Sequence, residues 1–188
     1  FIEWQITILK ENGKIIQGSH PVGWCPKDQN PVSQHDTMGD VEPKIDDKNF
    51  LVKFKFGEFI FPVTTLRPET IFGVTNLWVN PNVTYKKVSV DNETWIISEQ
   101  CAKKIEFFEK EVKIIGDIQG SEIIGKYATT HNGAEIPILP AEFVEPGMGT
   151  GLVMSVPAHA PKDYQALMDL KAKNHELAVK IKPIPIIV

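Results

Sequence analysis

Glycine, proline and Asx turn formers recur at short intervals: Gly57, Pro68, Gly73, Pro81, the Asp91–Asn92 pair, Gly116, Gly120, Gly125, Gly133 and Gly147. Between them only short elements fit, and this constrains the fold more than any other feature. Residues 50–56 and 58–64 read as a hairpin around Gly57, and residues 85–90 and 94–97 as a second around Asp91–Asn92. Residues 113–118, 126–128, 135–139 and 152–156 read as further short strands. Ser98 is a predicted N-cap for a helix to about Glu111, with Cys101, Ile105 and Phe108 on its inner face. Pro161 opens a second helix, where Tyr164, Leu167, Met168 and Lys171 follow 3.6-residue spacing. The expectation is an α+β domain, a β-barrel with helical decoration. Ahead of it, Ile2, Trp4, Ile6 and Ile8 alternate as in a strand. Asn12–Gly13 has the composition of a hairpin turn, and Ile15–Ile16 begins the return. Residues 18–43 are rich in turn formers and read as an irregular linker or appendage.

The chain of 188 residues carries a net charge of −4, which excludes a broad basic nucleic-acid surface but not a small local contact. No apolar run approaches a membrane span, so no membrane is expected. Cys25 and Cys101 are far apart and form no Cys-x-x-Cys pair, which favours a reducing, cytoplasmic setting over a disulfide scaffold or zinc site. A start at Phe1 and an apolar end at Val188 read as a piece of a longer polypeptide.

Residues 62–81, PVTTLRPETIFGVTNLWVNP, gather Thr64, Thr65, Arg67, Glu69, Thr70, Thr75 and Asn76 among apolar neighbours. Pro68 suits the first helical position, Glu69 suits the helix dipole, and Gly73 is expected to end the turn with positive φ. The prediction is strand 59–65, a polar turn, a short helical segment 68–72 and strand 76–79. Such a turn presents hydroxyls, backbone N–H groups and one guanidinium to a common space. Taken alone, a threonine-rich edge strand with a capped turn accounts for it slightly better.

Other candidates weigh less. Cys25, His35 and Asp36 lack a second ligand pair at metal spacing, so no metal is expected. Gly147-Met-Gly-Thr-Gly151 lacks the Gly-Lys-Ser/Thr of a phosphate loop and reads as a tight turn with close backbone approach. Taken singly, Asp163 is accounted for as a first-turn capping carboxylate, and His159 as a loop histidine bonded to backbone.

Three segments together are more telling: TTLRPETIFGVTNLWVNP (64–81), GTGLVMSVPAHAPKDYQAL (149–167), and FIEWQ with GWCPKDQNPVSQHD (23–36). They resemble leucyl-tRNA synthetases of the archaeal and eukaryotic cytosolic type, specifically the editing insertion called connective peptide 1. Isoleucine and valine enzymes share the general pattern, but TNLWVNP with MSVPAHAP points to leucine. Relative to bacterial enzymes Leu66 is an extra residue, and Ala160 stands where they carry an aspartate. The resemblance implies the β-barrel-like editing fold of class I synthetases. It divides the chain into an appendage (1–48), an editing domain (49–182) and the start of a return linker (183–188).

The resemblance further implies hydrolysis of the ester joining a wrong amino acid (isoleucine, methionine or norvaline) to the 3′ end of tRNA(Leu), with leucine refused. No cofactor is expected for this piece. The ATP and Mg of the parent ligase belong to a separate domain whose HIGH and KMSKS signatures are absent here. The expected partners are the tRNA end and the remainder of the synthetase in cis, the whole being monomeric. Asp163 falls on the family's universal aspartate and is expected to pair with the α-ammonium. Thr70 is expected to block leucine. Thr65, Leu66 and Arg67 are expected to position water, with Met154 and His159 on the facing wall and Thr64, Gly149 and Thr150 binding substrate. Arg67 pairing with Glu69 as a structural ion pair is an equal alternative. The competing functions are a tRNA-end docking module without hydrolysis and an isoleucine- or valine-specific relative.

Overall fold

The computed structural model describes residues 1–15, 23–25, 27–32, 49–105 and 112–186. The chain divides into two compact units, Phe1–Asp46 and Asp47–Val188.

In the first unit, the expected opening strand is a helix, α1 (Ile2–Glu11), with no buried side chain. The alternation of Ile2, Trp4, Ile6 and Ile8 was misleading because backbone bonding carries this element. Asn12–Gly13 ends the helix and does not turn a hairpin. Gly13 sits at φ +64°, its N–H donates to Lys10 O at 3.0 Å, and Lys14 N–H donates to Leu9 O at 2.8 Å. Both a hairpin turn and a helix stop need positive φ, so Asn-Gly alone does not distinguish them. A short ribbon follows, β1 (Gly23–Cys25) antiparallel to β2 (Asn30–Val32). The Cys25 thiol donates to Asp28 Oδ2 at 3.1 Å. Ile16, His35, Asp36 and most of 18–43 lie outside the described residues.

The strands of the second unit are β3 (Phe50–Phe56), β4 (Phe59–Thr65), β5 (Asn76–Val79), β6 (Thr84–Val90), β7 (Glu93–Ser98), β8 (Val112–Gln119), β9 (Tyr127–Thr129), β10 (Glu135–Pro140) and β11 (Val153–Ser155). Among the described residues they form one nine-stranded mixed sheet in the order β11-β5-β10-β9-β3-β4-β7-β6-β8. The α+β class holds. Among the described residues the sheet is not closed by pairing between β11 and β8. Both expected hairpins form, with Gly57 at φ +60° and Asp91 at φ +53° in their turns. Phe54 faces Phe61 across the first, both fully buried, and Phe56 stacks on Phe61 at 4.6 Å.

β5 is buried along its whole length, between β11 (antiparallel) and β10 (parallel). Leu77 and Val79 enter the main core with Ile123 of the short helix α3 (Gly120–Ile123), while Trp78 enters a second cluster with Leu167 of α4 (Pro161–Ala172) and Ala178 of α5 (Glu176–Lys180). A third cluster packs α2 (Glu99–Ile105) on β6 and β7 through Val88, Ile97, Cys101 and Ala102. Ser98 caps α2 as expected, its Oγ accepting from Cys101 N–H at 3.1 Å. Ile105 packs on this cluster, and Phe108 and Glu111 lie outside the described residues. In α4 the buried positions are Asp163 and Leu167, flanked by half-buried Ala166 and Leu170. Met168 and Lys171 are half-buried as their spacing suggests, Met168 packing on the Trp78 cluster, while Tyr164 is exposed and Asp163 is buried in its stead. Among the described residues no helix is long and apolar enough to cross a membrane.

Asn80 and Tyr85 tie the sheet to the loops beside it. Asn80 Nδ2 donates to Glu142 O and Val144 O at 3.1 and 3.0 Å. The Tyr85 hydroxyl donates to Gly151 O at 2.9 Å and accepts from Asn80 N–H at 3.1 Å. Burial pushes the Tyr85 phenol from 10.0 up to about 12. Tyr85→Phe takes the partner from the buried Gly151 carbonyl and the half-buried Asn80 N–H and should lower the unfolding free energy by about 1–3 kcal/mol in denaturant titration. With its folded pKa above the unfolded value, Tyr85 contributes in full below pH 10.0 and loses that contribution as pH rises towards about 12. The gap between wild type and variant should therefore narrow over that interval.

Candidate functional site

β4 ends at Thr65, and Pro68 starts a 3-10 helix (Pro68–Gly73) three residues later. The turn between is fixed by its own polar atoms. Arg67 N–H donates to Thr65 Oγ1 at 3.1 Å, while Thr70 N–H and Thr70 Oγ1 both donate to Arg67 O, at 3.1 and 2.7 Å. Its hydroxyl held in this way, Thr70 is buried. Arg67 Nε donates to Glu69 Oε1 at 3.2 Å, with the two side chains 72% and 59% exposed. This is the ion-pair alternative. An exposed pair of this kind is worth little, about 0–1 kcal/mol, and leaves the guanidinium's remaining donors available.

The facing wall comes from β11 and the loop after it. Met154 and Val156 are buried. His159 N–H and Ala160 N–H both donate to Val156 O, at 2.8 and 3.0 Å, which folds VPAHA into a compact turn before α4. His159 Nε2 accepts from Ile186 N–H at 2.9 Å. It is thus satisfied by backbone and lines the site as well. Between the walls lies a cleft of about 320 Å³ lined by Thr64, Thr65, Leu66, Arg67, Thr70, Val153, Met154, Val156, His159 and Ala160. Seven residues singled out from sequence meet there.

Gly149 and Thr150 line the neighbouring cavity of about 760 Å³, which shares Thr64, Thr65 and Leu66 with the cleft. The turn at 147–151 is the close-approach turn expected of it. Gly149 stands at φ +53° against Thr64 Oγ1, and Gly151 at φ +76° where a Cβ would lie 2.6 Å from Ser98 Cβ.

Asp163 does not line the cleft. It is buried directly behind it, with Oδ1 accepting from Trp78 Nε1–H at 3.0 Å and Oδ2 from Val156 N–H at 2.8 Å. Burial pushes its carboxyl above the usual value of 3.8, against the opposing pull of the Val156 and Trp78 donors and the Lys162 charge. It lies in the first turn of α4 yet bonds across to β5 and the post-β11 loop, so it does not cap its own helix.

Thr75 and Asn76, the remaining polar residues of this stretch, stand apart from the turn. Both are buried outside the cleft, Thr75 Oγ1 donating to Asn76 Oδ1 at 2.9 Å, because pairing of β5 with β11 fixes their direction. Gly73 does not end its turn with positive φ. It is needed for close approach, since a Cβ there would stand 2.9 Å from Ile184 O. Trp78 and Val156 were missed from sequence. A tryptophan in an otherwise aliphatic strand was the available signal, for a buried indole N–H needs an acceptor.

The family described as leucyl-tRNA synthetase, editing domain, matches residues 48–183. The chain is 55% identical over 171 residues to a leucine–tRNA ligase of Methanothrix thermoacetophila, covering 90% of this chain and 18% of that protein. A leucine–tRNA ligase of Pyrococcus horikoshii is 48% identical over 187 residues, covering 94% and 19%.

The chain belongs to the leucyl-tRNA synthetase editing-domain family.

It spans only about a fifth of the length of these relatives. The crystal structure of GlLeuRS-CP1 superposes with a TM-score of 0.62 at 26% identity, over 71% of this chain and 64% of that one. The editing domain of the P. falciparum cytosolic leucyl-tRNA synthetase gives 0.61 at 20% identity, over 68% and 54%, which speaks for the fold alone.

Because Trp78 donates to the ionised carboxylate, Trp78→Phe should raise the Asp163 pKa further. A carboxyl-carbon NMR titration checks the direction, and an unchanged value would mean the indole bond does not reach the carboxylate's charge.

Proposed function

We propose that this chain is the post-transfer editing part of a leucyl-tRNA synthetase: an aminoacyl-tRNA deacylase that hydrolyses isoleucine, methionine or norvaline esters of tRNA(Leu) and refuses leucine. The observation that carries this reading is the meeting of the threonine-rich turn with Met154 and His159 around one small cleft. An apolar pocket separates aliphatic side chains differing by one methylene by only about 1–3 kcal/mol, so a second hydrolytic sieve has a purpose. General biochemistry already uses aminoacyl-tRNA synthetases to illustrate that point. The rest of the ligase, with its ATP and Mg chemistry, acts in cis as a cytoplasmic monomer.

In this reading the terminal adenosine sits towards Gly149 and Thr150, and the amino acid enters between Thr70 and Met154. The Asp163 carboxylate stands behind Val156, and its negative charge draws the α-ammonium to that side of the cleft. Water attacks the ester carbonyl carbon, and negative charge develops on the carbonyl oxygen. The C–O bond to ribose then breaks, and the ribose oxygen leaves as a hydroxyl carrying the proton shed by the attacking water. The turn at Thr65, Leu66 and Arg67 orients that water and offers donors to the oxyanion, and the adjacent ribose hydroxyl assists. Thr70 excludes the γ-branch of leucine with its stiff methyl group.

One observation favours a second reading, a tRNA-end docking module. Both Asp163 oxygens are already bonded within the protein, as a purely structural latch would be.

Deacylation of isoleucyl- and leucyl-tRNA(Leu) separates the readings. Wild type should hydrolyse only the isoleucyl ester, and Asp163→Asn, which keeps one acceptor oxygen in place but no charge, should lose that activity while still giving a cooperative melting transition. Hydrolysis of neither ester by wild type supports docking. Thr70→Ala should gain hydrolysis of leucyl-tRNA by about 10-fold or more, the scale of one methyl group in such a pocket. Unchanged specificity would remove Thr70 as the sieve. Drawing the ammonium needs an ionised Asp163, whose carboxyl burial pushes above the usual value of 3.8. The rate should therefore fall on acidification at a higher pH than an ordinary aspartate would give.

A further inference from the structure

The two sides of the cleft are carried by separate elements, Thr70 by the 3-10 helix and His159 by the loop before α4. One short segment touches both. After α5 the chain runs through Pro183, Ile184, Pro185 and Ile186. Ile186 N–H donates to His159 Nε2 at 2.9 Å. Gly73, the last residue of the 3-10 helix, packs so closely on the same segment that a Cβ would stand 2.9 Å from Ile184 O. The same Cβ would be 3.0 and 3.1 Å from Ile186 Cγ1 and Cδ1.

The chemistry suits a stiff bridge. Pro183 and Pro185 have fixed φ, and a residue before proline, as Ile184 is, favours extended backbone. Pro185 has no N–H, and Ile186 gives its own to the imidazole. That bond sets the tautomer, because an accepting Nε2 leaves the proton on Nδ1. The helix being held is itself weakly built, since 3-10 hydrogen bonds are poorer than α-helical ones. Its position relative to His159 needs an outside reference.

We propose that residues 183–186 are a strap fixing the separation of Thr70 from His159, and that Gly73 and Ile186 are specificity-positioning residues of the sieve. This rests on the editing reading above. The strap works through fit. Gly73 lets the helix close on it, Ile186 fills the contact with its side chain, and the Ile186 N–H anchors the far end on His159.

Three variants separate these parts, all in the whole chain. Ile186→Pro removes the N–H, Ile186→Ala keeps it and trims the contact with Gly73, and Gly73→Ala inserts the clashing Cβ. The readouts are the ratio of leucyl- to isoleucyl-tRNA(Leu) hydrolysis and the ¹⁵N resonance of His159 Nε2. Small displacements of a positioned group have large kinetic effects, so each variant should raise the ratio by about threefold to tenfold. Only Ile186→Pro should also move the Nε2 resonance to that of an unbonded imidazole nitrogen. An unchanged ratio in Ile186→Pro with a shifted resonance would overturn the proposal, because the anchor would be gone without effect on the sieve. A wild-type resonance already at the unbonded position would overturn it too. Failure of the editing reading shows elsewhere, as hydrolysis of neither ester by wild type.

Discussion

Asp163 is the group on which the neighbouring structure depends. A carboxylate at 6% exposure is costly unless its oxygens are bonded. Here each has a donor from a different element, Trp78 from β5 and Val156 N–H from the loop after β11. Those two bonds join α4 to the sheet at one point and fix the loop that carries His159. Trp78 adds its ring to the cluster under α4, with Phe143 edge-on at 5.9 Å. The same carboxylate is thus a structural tie and, among the described residues, the one buried charged side chain. Removing one member of such a buried set leaves another polar group without its partner, which costs more than the bond itself was worth.

The cleft also depends on backbone shape. The turn after β4 stands because Thr65 and Thr70 use their hydroxyls on Arg67 backbone atoms, which leaves few polar groups in the cleft wall. The glycine-rich turn can approach Thr64 because Gly149 has no side chain to interpose. Polar side chains are thus consumed in building the walls, and Leu66, Val153, Met154, Val156 and Ala160 give the cleft much of its apolar lining.

Most of the second unit was legible in the sequence. Both hairpins, the short helical segment after Pro68, the Ser98 cap and the start of α4 at Pro161 follow from turn chemistry and capping, which act within a few residues. The first unit was less so. Ile2 to Ile8 alternates as a strand would, and Asn12–Gly13 serves a helix end as well as a hairpin. Seven site residues fall into one cleft because two contiguous motifs supply them. Trp78, Val156 and the Ile184–Ile186 segment were not legible as part of the site, since each acts through a partner distant in the chain.

The sequence by itself determined the family, the order of the short elements, and the local turns that place Thr65, Thr70, Gly149 and His159. These rest on fixed φ, capping and missing side chains, which need no distant partner. Only the tertiary structure decided that Asp163 is a buried tie, that Thr75 and Asn76 lie outside the cleft, and that Gly73 is small for the sake of Ile184. Those outcomes depend on which strand pairs with β5 and which segment crosses the 3-10 helix. Such pairings are set by the summed burial of many residues and are not encoded in any one local stretch.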